Sequence, residues 1–349
     1  MIKGMFSKIF GKAVETRNQR YDKEKEEIIK IDIPVISVGN LTVGGTGKTP
    51  FVQMLARDLQ KIKRKPAIIG RGYKKKSKGE IILCDGKNIL ADAREGGDEM
   101  FMLADTLRIP VIAHESKSEA AKNITSKFDV DTVIIDDGFQ HRRLHRDIDI
   151  VLIDNDTIEN PDLLPKGRLR EPLESIGRAD IICLTGNITP NEKIAALKDT
   201  KLTIRVIPWQ ERPYHIKSRQ QTGRYEYRDM LSGIVCVAGI AKPERFRNML
   251  EKQKYSVKQS LDYPDHHYYN EKDVEKIIQT CRDEGSDYIA TTEKDAAKLI
   301  NLSDMFANAG IHCYVFPITL RIIEGRNAYF SKLKSLYDIE RNEKDSKKS

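Results

Sequence analysis

Cysteine is scarce in this chain of 349 residues: there are five, at positions 84, 183, 236, 281 and 313, odd in number and without a Cys-x-x-Cys pair. That pattern excludes a disulfide framework or a structural zinc site and suits a reducing compartment. Cys183, Cys236 and Cys313 lie inside apolar runs and read as small core residues. No apolar run approaches the ~20 residues that span a bilayer, and the N-terminus lacks the continuous apolar centre of a signal peptide. Internal repeats, zinc-finger spacing and aromatics interleaved with basic residues are also missing, so nucleic acid is not an expected partner.

What is present begins with charge. The net charge is +8, which favours anionic partners such as phosphates or acidic lipid. Near the N-terminus Ile2, Met5, Phe6, Ile9, Phe10, Ala13 and Val14 recur at helical spacing, with Lys3, Lys8 and Lys12 on other faces. A short basic amphipathic helix of this kind can lie in a membrane interface or pack on its own domain.

Apolar runs recur through the first half at Val35–Val38, Ala67–Ile69, Val111–Ala113, Val133–Ile135, Ile150–Ile153 and Ile181–Leu184, several separated by amphipathic segments. The alternation predicts an α/β fold with a parallel sheet flanked by helices, in which ligands collect at the carboxyl ends of the strands. A polar stretch over 211–229 looks like a boundary, after which strands restart at 234–238, 256–260, 288–290 and 311–318. The expected organisation is a first domain over 1–222, a smaller α/β domain over 223–314, and a return segment with a C-terminal helix and charged tail over 315–349. Segments 202–207 and 313–318 are expected to pair as a two-stranded linker, and the tail from Asn342 is expected to be disordered.

The strongest local signal is Thr42-Val43-Gly44-Gly45-Thr46-Gly47-Lys48-Thr49, between an apolar strand and a helix-like segment. Backbone N–H groups of such a turn converge on phosphate oxygens, Lys48 reaches the β/γ-phosphates and the Thr49 hydroxyl suits Mg²⁺. Gln53 follows one helical turn later on the same face. Asp136 and Asp137 end the run 132–135, as the carboxylate half of a phosphate-loop site does. In a continuing strand their side chains would face opposite ways, one toward metal and one toward structure. Asp98 and Glu99 follow a Gly-Gly turn. Asp98 reads as a helix N-cap or as a group that takes a hydroxyl proton. His266 and His267 stand side by side after Pro264-Asp265, a spacing better suited to a polar catalytic partner than to a shared metal. Thr292-Glu293-Lys294-Asp295 reads first as a capping box. Of the basic residues Arg71, Lys74, Lys75, Lys76, Arg142, Arg143, Arg146, Lys166, Arg168 and Arg170, Arg71 and Arg170 are the better anion contacts, because tight Gly- or Pro-bounded loops hold them.

Taken together, the strings Ser37–Pro50, Gly70–Tyr73, Gly97–Glu99, Asp136–His141, Leu164-Pro165 with Leu169–Pro172, Ala238–Pro243, Pro264–His267 and Thr292–Ala296 resemble those of the tetraacyldisaccharide 4′-kinase family, the lipid A biosynthesis kinases of Gram-negative bacteria. The resemblance implies a phosphate-loop kinase that transfers the ATP γ-phosphate to the 4′-hydroxyl of a tetraacylated glucosamine disaccharide 1-phosphate, giving lipid IVA. By that match Thr42, Val43, Gly44, Gly45, Thr46, Gly47, Lys48 and Thr49 bind nucleotide, with Thr292, Glu293, Lys294 and Asp295 lining it from the second domain. Thr49, Gln53, Glu99 and Asp136 surround the metal. Asp98, supported by His266, activates the acceptor hydroxyl, while Lys48 and Asp137 complete the catalytic set. Arg71, Tyr73, His141 and Arg170 meet the lipid headgroup. The match also implies peripheral attachment to the cytoplasmic face of the inner membrane, with no obligatory protein partner.

Two rivals are weighed against this. A phosphate-loop kinase of a soluble acceptor explains the ATP site but not the amphipathic start or the later motifs. A nucleotide-driven switch should carry Asn-Lys-x-Asp, and Lys294 directly precedes Asp295, so that motif is absent.

Overall fold

The computed structural model describes residues 2–73, 75–188, 192–197 and 200–346. Lys74, one of the basic cluster, lies outside them. Fourteen strands form two sheets among the described residues. Seven parallel strands make the body of the large sheet: β1 (Val35–Asn40), β2 (Pro66–Gly70), β4 (Pro110–Ala113), β5 (Thr132–Asp136), β6 (Ile148–Ile153), β7 (Ile181–Thr185) and β8 (Leu202–Gln210). Its antiparallel edges are β3 (Ile81–Asp85) and β14 (Ile318–Glu324), and the order is β14-β8-β7-β6-β1-β5-β2-β4-β3. The six apolar runs of the first half are all strands of this sheet.

The period-2 pattern explains why the strands are apolar throughout: both faces are covered. Ile36, Val38 and Ile134 pack with the helices Lys48–Lys61, Asp98–Leu107 and Arg326–Ser346. Val35, Val133 and Ile135 face the helix Lys117–Lys127 on the other side. β1 lies between β5 and β6 in register, with Val38 opposite Asp136. The Gly-rich turn and the paired aspartates therefore leave the sheet at one edge.

The small sheet has the order β11-β10-β12-β13-β9, from β9 (Tyr214–His215), β10 (Ile234–Ala238), β11 (Val257–Asp262), β12 (Tyr288–Thr292) and β13 (His312–Phe316), with only β9 antiparallel. Three expectations need correction. The small sheet reaches beyond 223–314, because β9 adds to it from before that span and β13 ends at Phe316. The two-stranded connector exists, but β8 pairs with β14, which starts at Ile318, and not with 313–316, since those residues are already taken by β12. The chain from Asn342 continues as helix to Ser346.

The N-terminal helix runs Ile2–Asp22 and is longer than its apolar pattern suggested. Val14 and Ser7 are buried against the body, with Ser7 Oγ donating to Leu163 O at 2.9 Å, while Met5, Phe6 and Ile9 remain more than half exposed. All five cysteines are buried and unpaired.

Candidate active site

The phosphate-binding turn is held open by its own polar groups. Asn40, last residue of β1, donates from Nδ2 to Thr42 Oγ1 (3.1 Å) and Thr46 Oγ1 (2.9 Å), and its Oδ1 accepts from Lys48 Nζ at 3.0 Å. Thr42 and Thr46 are buried by these bonds, while 43–45 stay exposed. Arg168 clamps the turn from outside, donating to Val43 O from Nη2 at 2.7 Å and pairing with Asp156. Gly44 has φ 111°, a backbone conformation that favours glycine, and the Arg168 guanidinium occupies the place where a Cβ would lie. Lys48 and Thr49 open the following helix, and Gln53 is buried one turn on.

Asp136 and Asp137 divide their tasks. Asp137 sits in the left-handed region (φ 51°), so its carboxylate leaves the strand direction. It accepts from Arg170 Nη1 (2.8 Å) and Nη2 (2.7 Å), with Lys48 Nζ at 3.5 Å. Burial alone would raise its pKa, but the Arg170 hydrogen bonds and the Lys48 charge hold it far below the usual carboxylate range. Asp136 is buried and its Oδ1 has no hydrogen-bond partner. Burial, with Glu99 and Asp137 nearby, lifts it to about 7. Behind both, the buried Lys117 donates from Nζ to the Asp136 and Asp137 carbonyls. Its pKa is lowered by burial, against the pull of the two aspartates.

This set fits a divalent cation. An orphaned carboxylate oxygen beside two further acids is what a +2 charge relieves. Among the described residues no three His, Cys, Asp or Glu side chains converge as a cage. Mg²⁺ needs none, since it takes one or two carboxylates and completes its shell with water and phosphate oxygens.

The second cluster forms where the two sheets meet. Gly97 (φ 90°) turns the chain so that Asp98 opens the helix Asp98–Leu107; a Cβ on Gly97 would lie 2.8 Å from Tyr73 O, which locks this turn to the 70–73 loop. The N-cap is thus Gly97, and the Asp98 side chain is free for other work. His266 Nδ1 stands 3.1 Å from Asp98 Oδ2, the Tyr268 hydroxyl donates to Oδ1 at 3.0 Å, and Lys298 Nζ lies 3.5 Å from Oδ2. Burial pushes the Asp98 pKa up, but the His266 bond, the Lys298 charge and the Tyr268 bond together bring it below its ordinary value. His266 itself has φ 65°, with Lys294 Nζ 3.3 Å from its Nε2 and the Tyr73 ring centroid 5.5 Å away. Because Glu99 follows Asp98, the two clusters adjoin.

Other expected contacts are placed differently. His267 pairs with Asp273 at 2.9 Å and stacks on Tyr263, so it holds the turn and leaves His266 as the member that meets Asp98. Thr292 caps the helix Glu293–Leu299, accepting from Asp295 N at 3.1 Å. Asp295 is buried, accepts from Gly239 N (3.0 Å) and the Thr292 hydroxyl (2.7 Å), and lies 3.3 Å from Lys298 Nζ. Glu293 points at the phosphate-loop helix, near Arg57 and Gln53, and accepts from Ile318 N at 3.3 Å. Lys294 bonds Asp265 at 2.9 Å.

Arg71 is exposed, and Tyr73 is 63% exposed. His141 packs 3.5 Å from Ser118 Oγ; burial, then Lys117 and the arginines around it, lower its pKa to about 4. Arg142, Arg146, Lys166 and Arg168 are committed to Asp22, Asp149, Asp162 and Asp156. Asn40 falls within the Ser37–Pro50 string that the sequence singles out, whereas Lys117, Tyr268 and Lys298 were not read as site residues. Asn40 carried a signal, a carboxamide at the end of a buried strand before a Gly-rich turn. The other three act across long sequence distances.

The family model for tetraacyldisaccharide-1-P 4′-kinase matches residues 3–337. A tetraacyldisaccharide 4′-kinase of Syntrophus aciditrophicus is 38% identical over 84% of this chain and 83% of its own length. That of Aquifex aeolicus is 36% identical over 86% of this chain and 90% of its own. The crystal structure of the "apo" form of LpxK from Aquifex aeolicus in complex with ATP superposes with a TM-score of 0.79 at 29% identity, covering 96% of this chain and 99% of that one. The chain therefore belongs to the tetraacyldisaccharide-1-P 4′-kinase family.

Proposed function

We infer that the protein transfers the γ-phosphate of ATP to the 4′-hydroxyl of a tetraacylated glucosamine disaccharide 1-phosphate, forming lipid IVA in lipid A biosynthesis. The observation that carries the assignment of roles is the meeting of a phosphate-loop lysine, the Asp136–Asp137 pair with Asp136 buried, and a His-supported Asp98 at adjoining ends of two sheets. The loop from Thr42 to Thr49 cradles the triphosphate through its backbone N–H groups, and Lys48 exchanges Asn40 and Asp137 for phosphate oxygens. Thr49, Asp136 and Glu99, with Gln53 behind them, would hold Mg²⁺, which when bound neutralises phosphate charge.

Asp98 takes the proton from the acceptor 4′-hydroxyl, and His266 holds the carboxylate. The O–H bond breaks as the new O–P bond forms, the bond from the γ-phosphorus to the β-phosphate oxygen breaks, and ADP leaves. Arg170, already forked onto Asp137, offers its guanidinium at the transferring phosphoryl group. Arg71, Tyr73 and His141 face the headgroup in this reading, and the small-sheet unit closes over the nucleotide with Thr292 and Lys294 at its edge.

No helix among the described residues is long and apolar enough to cross a membrane. The exposed Met5, Phe6 and Ile9 beside Lys3, Lys8 and Lys12 support peripheral attachment at the cytoplasmic face of the inner membrane, where the acyl chains reside.

The test is mass analysis of the product from purified protein, ATP, Mg²⁺ and the tetraacylated acceptor, beside a panel of soluble alcohols. A product one phosphate heavier, made only from the lipid, is expected. Transfer confined to soluble alcohols overturns the reading. Lys48→Ala should lower turnover by roughly 10²–10³-fold without a change in unfolding temperature, and near-normal turnover would remove the ATP assignment.

A further inference from the structure

Asp98 is gripped from the other half of the molecule at both of its oxygens, and the two grips differ. Oδ2 meets two cationic or polar groups, His266 Nδ1 at 3.1 Å and Lys298 Nζ at 3.5 Å. Oδ1 accepts a single bond, from the Tyr268 hydroxyl at 3.0 Å, and that same oxygen of Tyr268 lies 3.4 Å from Ala93 O. An ionised carboxylate accepts about four hydrogen bonds in all; among the described residues each oxygen accepts one, but Oδ2 also faces the Lys298 ammonium, so Oδ1 is the oxygen whose open lone pair is not drawn to a protein cation. The Asp98 side chain is only 3% exposed, and Lys298 is 1% exposed. Solvent does not average the carboxylate's orientation here; its neighbours set it.

We propose that Tyr268 is a positioning residue for phosphoryl transfer: its hydroxyl, tied to the carboxylate of Asp98, fixes Oδ1 as the oxygen presented to the acceptor alcohol. The inference rests on the reading that Asp98 takes the acceptor proton. Tyr268 is suited to the task because its ring and its turn are held by contacts that do not involve the hydroxyl. Arg94 lies over the ring at 5.7 Å, and the turn that bears Tyr268 is fixed by His267 on Asp273 and by Asn270 capping the next helix. Tyr268 and Lys298 also wall a cavity of about 740 Å³ with Ala93 and Arg94. Loss of the hydroxyl lets water bond Oδ1 from that side, and water does not hold one geometry. Misplacement of a reacting group by a fraction of an ångström is costly to rate while leaving nucleotide binding alone.

Tyr268→Phe keeps the ring and its packing and removes only the donor. With rates normalised to ATP-binding sites, kcat should fall roughly 10–100-fold, the size of one hydrogen bond to a charged group. The KM for ATP should stay within twofold of the parent protein. The discriminating measurement is the same substitution in an Asp98→Asn background, where it should cost nothing further, because its effect passes through the carboxylate. A kcat within twofold of the parent, or an equal loss with and without Asp98, overturns the proposal. The underlying reading fails separately: Asp98→Asn alone would then retain turnover, whatever Tyr268→Phe does.

Discussion

Asp136 and Asp137 are adjacent in the chain, yet burial beside Glu99 lifts the first to about 7 while Arg170 and Lys48 keep the second ionised. The single left-handed φ at Asp137 brings this about, because it sends the two side chains to different neighbours. Asp98 is a third case, a buried carboxylate kept charged by hydrogen bonds from His266 and Tyr268 and by the Lys298 charge, all from the small-sheet half. Carboxylate chemistry in this site is therefore set by environment and not by residue type. Asp98→Asn should lower kcat by roughly 10²–10⁴-fold, the usual worth of a positioned base, and His266→Ala by less. Neither should raise the ATP KM appreciably. Steady-state kinetics with ATP varied at saturating acceptor checks this, and a pure KM effect would assign both residues to nucleotide binding.

At the scale of elements, the parts legible from sequence were those whose signal is local. The Gly-rich turn lies between strand and helix, and β5 ends in its aspartates, because a short stretch carries all the information those features need. β3, β9 and β14 escaped notice, being edge strands whose identity depends on a partner elsewhere. Tyr268 and Lys298 escaped for the same reason: each meets Asp98 across more than 160 residues, and a lysine on a helix between Ala297 and Leu299 reads as surface until the buried partner is known. The N-terminal helix was ambiguous in sequence; the structure shows its docking on the body and leaves an exposed apolar face with which the membrane reading can be tested. Val14, Ser7, Arg17 and Asn18 dock it, the last two on the buried Glu171, while Met5, Phe6 and Ile9 face outward. Each such side chain gains roughly 1.5–3 kcal/mol on full burial. Replacing Met5, Phe6 and Ile9 with Asp should therefore lower binding to anionic lipid vesicles at least tenfold, read by co-sedimentation, without changing the unfolding temperature. Unchanged sedimentation would leave the helix with its docking role only.

Across the whole molecule, the two halves meet at a seam where ionisable groups are buried. Glu293 opens the helix after β12 and sits against the phosphate-loop helix and the start of β14. Burial raises its pKa to about 7, partly offset by Arg57 and by the Ile318 N–H, with Glu211 adding to the rise. The sign follows from proton binding. Between about pH 4.3, where an exposed Glu ionises, and about 7, the folded protein holds a proton that the unfolded chain has released, so stability falls as pH rises through that window. Above it the full cost of the buried charge is present, on the order of 3 kcal/mol. Glu293→Gln keeps an acceptor for Ile318 N and removes the charge. It should raise the unfolding temperature at pH 8, with little effect at pH 4.5, and flatten the pH dependence between them. Calorimetry at a series of pH values checks this. A gain of the same size at every pH would mean that Glu293 has the same pKa folded and unfolded, so that the seam does not hold its proton. A loss at pH 8 would mean that its attraction to Arg57 outweighs burial, and that the charge helps hold the two halves together.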